Sequence, residues 1–184
     1  MERIAREVHR DFPELERRFS AMSYEESYRD GGNLASRGIP RLPDAPMLEF
    51  MQQRARLLGR SEASCSALFE SDDGRVLALL ESLPDDQLRA WLHLTARAQQ
   101  LELRGGPRPL PRAEAERIAH EALARVRGAL SPEEATRWDA ARSSTTSADA
   151  CFVERTLLRV LLAMSPDEAA RLHRALMEVG VSSP

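Results

Sequence analysis

Lysine is absent from this chain; all 26 basic residues are arginine. Schiff-base chemistry, a Walker-A phosphate loop and the kinase ATP site each require a lysine amine. Pyridoxal enzymes, P-loop ATPases and protein kinases are therefore excluded. Aromatic residues are scarce at 5%, while Ala, Leu, Glu and Arg are plentiful. That balance favours helix over sheet, since strands draw on β-branched and aromatic side chains. Long apolar runs are lacking as well. The longest, Val76–Leu80 and Val160–Met164, fall far short of the roughly 20 residues that cross a bilayer. Cysteine is limited to Cys65 and Cys151, with no CxxC spacing and no disulfide framework. Both lie among apolar residues, where reduced core thiols are expected. The start, Met1-Glu-Arg-Ile-Ala-Arg-Glu7, lacks the apolar run of a signal peptide. The expected location is the cytoplasm. A net charge of −3 does not mark a general nucleic-acid binder.

What is present is helical periodicity. Ile4, Val8, Phe12, Leu15 and Phe19 form one apolar stripe at three- and four-residue steps, broken at Pro13. Residues 20–46 carry Gly31-Gly32-Asn33, Gly38, Pro40, Pro43 and Pro46 and read as a long loop. Tyr24 and Tyr28, the only tyrosines, are candidates to dock that loop or meet a partner. Further helices are expected around Leu48–Leu58, from Ser61 to Phe69 and at Val76–Leu80. Another opens with a capping box at Ser82-Leu83-Pro84-Asp85, and one runs from Ala113 to Gly128. Ser71-Asp72-Asp73-Gly74 reads as a turn. With Gly74 at the sixth position of a calcium loop, Phe69 and Leu80 would fall on ligand positions, and neither can bind the ion.

Ala150–Met164 is apolar around most of its circumference, as expected of a helix enclosed by others. The fold class expected is all-α, an irregular bundle of seven to nine short helices around that central segment. Residues 1–45 are expected to form an arm of amphipathic helix and Gly/Pro-rich loop, and residues 46–184 a helical core domain.

Arg125–Trp138 aligns without a gap on Arg159–Leu172, an offset of 34 residues. The shared core is Ser-Pro-Glu/Asp-Glu-Ala, with proline in the first helical turn and acids at the positive helix end. The offset and the Pro-x-x-Ala-x-x-Trp order of Pro132–Trp138 resemble a tetratricopeptide repeat over about one unit. Beyond it Arg142 and Glu154 stand where that family places small residues. The looser copy at Pro84 lies 48 residues before Pro132, not 34. The same residues also read as one efficient helix cap used three times.

No nucleophile elbow, dinucleotide fingerprint or paired metal-binding spacing occurs. His120-Glu121 begins like a zinc-protease helix, but Ala124 stands where the second histidine belongs. His93 is expected on a solvent face and His173 at a boundary. Arg155 and Arg159 interrupt the apolar segment; pairing inside the bundle is the expectation, an anion site between helices the functional alternative. Arg104, Arg108 and Arg112 punctuate a proline-rich connector and form a weak candidate phosphate patch. No metal or cofactor is implied. The expected function is a non-enzymatic helical interaction or regulatory protein, an adaptor or small subunit with a protein partner. Homo-oligomerisation is open, and the alternative is a nucleic-acid-contacting protein using its arginine surfaces.

Overall fold

The computed structural model describes residues 2–70, 73–107 and 109–180, save the side chains of Glu2, Tyr24 and Glu25. The fold is all-α, with eleven α-helices and one 3-10 turn among the described residues. The sequence expectation of seven to nine undercounts them. The elements are α1 (Glu2–Arg10), α2 (Pro13–Phe19), α3 (Tyr24–Gly38), the 3-10 turn Ile39–Arg41, α4 (Asp44–Gly59) and α5 (Glu62–Phe69). They continue with α6 (Asp73–Glu81), α7 (Asp85–Leu103), α8 (Arg112–Gly128), α9 (Pro132–Ala141), α10 (Ser147–Leu161) and α11 (Pro166–Glu178).

Much of the excess comes from α3, which occupies the stretch read as a loop. Its N-terminus is a complete capping box: Ser23 Oγ accepts from the Glu26 amide, and the Glu26 carboxylate accepts from the Ser23 amide. That arrangement satisfies two amides otherwise left open at a helix start. The glycines survive because the neighbouring helix α7 supports them. Gln99 Nε2 donates to the Gly31 carbonyl at 3.0 Å. A Cβ on Gly38 would collide with the Ala98 carbonyl, so glycine there lets two backbones touch.

Other helix starts differ from expectation in detail. Ser82 Oγ donates backward to Leu79 O at 2.7 Å, capping the end of α6, and α7 begins after Pro84 with no side-chain cap. Ser131 does form a full capping box with Glu134, whereas its counterpart Ser165 makes no side-chain cap. Val76 and Leu77 are only half-buried. Of the turn at 71–74, Ser71 and Asp72 lie outside the described residues.

Two apolar clusters form. The larger joins α4, α7, α8, α9, α10 and α11, with Trp138, Phe50, Met47 and Leu158 fully enclosed. The smaller gathers Ile4, Val8 and Leu15 with Leu57, Leu80, Leu83, Leu88 and Ala96. Helix α10 packs on α4, α5, α8, α9 and α11 but contributes nothing to the smaller cluster. Ion pairs fasten the first helices to α7: Arg3 with Asp85, Glu7 with Arg89 and Glu14 with Arg104. Glu102 receives both Arg37 and Arg41, at 3.0 and 2.8 Å.

Cys65 and Cys151 are joined in a disulfide that ties α5 to α10. This corrects the expectation of two reduced thiols. Each cysteine sits on the apolar face by which its helix packs on the other, and their Cα atoms are 5.8 Å apart, within disulfide reach.

His173 is also corrected. It is fully enclosed, not at a boundary, and neither ring nitrogen has a hydrogen-bond partner. Its ring lies 6.1 Å from that of Phe50. Burial, aided by the charges of Arg54 and Arg174, pushes its pKa down to about 3. The unfolded chain takes up a proton below roughly pH 6.5 that the folded chain refuses until about pH 3, so stability falls with pH across that window. The loss expected by about pH 5 is roughly 2 kcal/mol. His9, likewise held below its ordinary value by burial, adds in the same sense, and Glu178, raised by burial, opposes it. Urea midpoints at about pH 7 and about pH 5 should show most of this slope disappearing in His173→Leu; an unchanged slope would assign it elsewhere.

Candidate functional site

The chain encloses a cleft of about 990 Å³ between α1, α3, α4, α6 and α7. Its floor is aromatic. Phe50 of α4 stacks on Trp91 of α7 with ring centroids 5.8 Å apart. The helical period of 3.6 residues supplies one wall: Val76, Leu77 and Leu80 share the inward face of α6. On the opposite wall α3 presents Tyr28, Gly31, Gly32 and Ala35. The two glycines hold that wall back, and at Gly32 a Cβ would meet no atom within 4 Å.

Uncharged polar side chains, among them Ser27, Asn33, Ser36, Thr95 and Gln99, are spread along the lining, and charged groups are fewer. Arg6 and His9 of α1 and Arg29 of α3 stand on one side, Asp73 and Glu81 of α6 on the other. Arg6 and Arg29 are exposed. His9 is half-buried, with its ring 6.2 Å from Phe19, and burial holds it below its ordinary pKa. Arg54 is the most enclosed cation of the lining. It follows Phe50 by one helical turn, and its Nε donates to Glu154 Oε1 at 2.8 Å. Side-chain exposure is 15% for Arg54 and 4% for Glu154. The guanidinium carbon stands 5.9 Å from the Phe69 ring centroid, a cation–π distance.

Most residues singled out from sequence lie away from this cleft. Tyr28 lines it; the side chain of Tyr24 lies outside the described residues, as does Arg108. Arg104 pairs with Glu14 at 2.8 Å and Arg112 with Glu116 at 2.8 Å. Arg155 donates to Leu58 O at 2.9 and 2.6 Å and to Ser61 O at 3.1 Å, and pairs with Glu62. It thereby satisfies the open carbonyls at the end of α4, the structural pairing expected of it. Arg159 reaches Glu134 at 3.1 Å. Arg155 and Arg159 are one turn apart on α10, while Arg104 and Arg112 flank the connector between α7 and α8.

His93 is half-buried, not on an open face, with Asp11 Oδ2 3.5 Å from its Nε2 and Phe12 against its ring. His93, His120, His173 and Cys65 are all missing from the cleft lining. Sequence reasoning missed Arg54, Phe50 and Trp91 as a group, because α4 and α7 meet only through tertiary packing. No cluster of three or more metal-ligating side chains occurs among the described residues. No helix among them is long and apolar enough to cross a membrane. No protein-family model, no curated protein and no solved structure matches this chain.

Proposed function

We propose that the protein is a non-enzymatic binding module and that the cleft is its receptor site. The observation carrying this reading is the lining itself: a concavity floored by Phe50 and Trp91, whose exposed surface is largely apolar and whose charged groups are few. Sites of this build bury an apolar ligand body and orient it through a small number of polar contacts. A volume of about 990 Å³ lies at the upper end of the range for small-molecule sites. In this reading residues 1–45 are an arm whose helices α1 and α3 form one wall, and residues 46–184 are the core that supplies the floor. A regulatory or adaptor role towards a protein partner would follow if that partner reads the surface of the filled cleft. The nucleic-acid alternative draws no support from Arg104, Arg112, Arg155 and Arg159, each already engaged by an acid or a carbonyl.

An uncharged solvatochromic dye such as Nile red tests the cleft. Binding should brighten the dye and quench Trp91, since Trp138 is sealed in the core away from the cleft. Gly32→Phe fills space at the lining without a backbone collision and should weaken dye binding about tenfold, the loss of roughly 1.4 kcal/mol. Unaltered dye affinity in this folded variant, or no dye binding by the parent protein, would remove the cleft as the receptor site.

A further inference from the structure

We propose that the occupant of the cleft is an amphiphilic monocarboxylic acid, its apolar chain on Phe50, Trp91 and the α6 wall and its carboxylate on Arg54. The inference rests on the binding reading above and adds the chemical class of the ligand.

Arginine carries five N–H donors in a planar fork. In Arg54 only Nε has an acceptor among the described residues, the Glu154 carboxylate. The Nη groups belong to a side chain 15% exposed that lines the cleft, so the remaining donors are reached from the cavity. Water reaches these donors, and a charged acceptor replaces it with a stronger bond. The glutamate bond fixes the guanidinium plane, and Phe69 stands 5.9 Å from the guanidinium carbon. The fork is therefore oriented before any ligand arrives, which limits the entropy lost on binding.

Charge limits the head to a single negative group. The lining holds Arg6, Arg29 and Arg54 against Asp73 and Glu81, and Glu154 already pairs with Arg54, so the site is balanced. One carboxylate on the open Nη donors of Arg54 is the smallest added charge that still makes a charge-assisted bond. A doubly charged phosphate would face Asp73, Glu81 and the nearby Glu154 with no cation left to match its second charge. A cationic head would stand against Arg54 with its counter-charge already taken. The apolar walls then require a hydrocarbon body, and Trp91, backed by the enclosed Phe50, offers a flat contact for it.

The test is displacement of Nile red by monomeric dodecanoate, dodecan-1-ol and dodecyltrimethylammonium at about pH 7.5, where the acid is ionised. Dodecanoate should displace the dye at a concentration about tenfold lower than the alcohol, as a charge-assisted hydrogen bond predicts. Two variants separate recognition from folding. Arg54→Lys keeps a cation for Glu154 but loses the fork, and Arg54→Gln with Glu154→Gln removes both charges together. Each should still bind the dye and should favour the acid over the alcohol by no more than about twofold. Equal displacement by acid and alcohol in the parent protein, or preference for the cation, would overturn the carboxylate while leaving the apolar cleft standing. A preference for acid that persists in the double variant would also overturn it, because the charge would then be sensed by Arg6 or Arg29.

Discussion

Removing the Cys65–Cys151 cross-link should lower the stability of the protein by about 4 kcal/mol, the effect expected for closing a loop of this length in the unfolded chain. The two cysteines are 86 residues apart, and the bond restricts every unfolded conformation in which α5 and α10 would separate. Native packing is less affected, because both side chains are already enclosed, at 0% and 1% exposure. Cys65→Ala/Cys151→Ala should therefore retain the helical circular-dichroism signal while its urea midpoint falls by about 2 M, given a typical slope near 2 kcal/mol/M. Enclosure also sets the kinetics of reduction. A thiol reductant reaches the sulfurs only when α5 opens, so reduction should be slow in buffer and fast in moderate urea. A midpoint that does not respond to reductant or to the double substitution would mean the sulfurs are not joined. The chemistry also bears on where the protein works: such a bond persists in an oxidising compartment, and in a reducing one the chain would carry two thiols and the lower stability.

Local rules carried the fold class and many of the helix boundaries. Pro13 breaks the first amphipathic stripe, Ser61 caps α5 through the Ser64 amide, and Ser131 opens α9 with a full box. Each depends on residues within one turn of each other, and such signals survive in a linear string. Helix α3 shows the opposite case. Its glycines argue for a loop by intrinsic propensity, about 1 kcal/mol each against alanine, yet contact with α7 outweighs that cost. One local signal did point to it: Ser23 followed three residues later by Glu26 is the capping-box pattern. Ser82 shows the limit of such patterns, since the hydroxyl that should start α7 instead closes α6.

The candidate site was far less legible. Its walls come from residues 5–39, 50–54, 68–99 and Met177, so no window of sequence contains it. Arg54 looked like one arginine among 26 because the partner that orients it, Glu154, lies 100 positions away. The interruptions Arg155 and Arg159 drew notice through their contrast with an apolar stretch, and both are absorbed by local structural duties. Glu154, in the same stretch, is the interruption that connects to the cleft.

Glu154 is accordingly a position where one substitution should be strongly damaging. Its carboxylate is 4% exposed and accepts from Arg54 across the junction of α10 and α4. Replacing it with leucine leaves an enclosed guanidinium without a counter-charge, and breaking a buried pair from one side costs about 3–5 kcal/mol. The lower end applies, near 3 kcal/mol, because the guanidinium retains a path to water through the cleft. Glu154→Gln should cost less, since the amide oxygen still accepts from Nε. Removing both partners, Arg54→Met with Glu154→Leu, should restore most of the lost stability, because two apolar side chains of similar volume replace two desolvated ions. With Arg54→Met alone added, the parent, Glu154→Leu and the double variant complete a double-mutant cycle whose coupling energy can be read from urea midpoints. A Glu154→Leu variant within about 1 kcal/mol of the parent would show an exchangeable surface-type ion pair, and a guanidinium so loosely held would not present a fixed fork to a carboxylate.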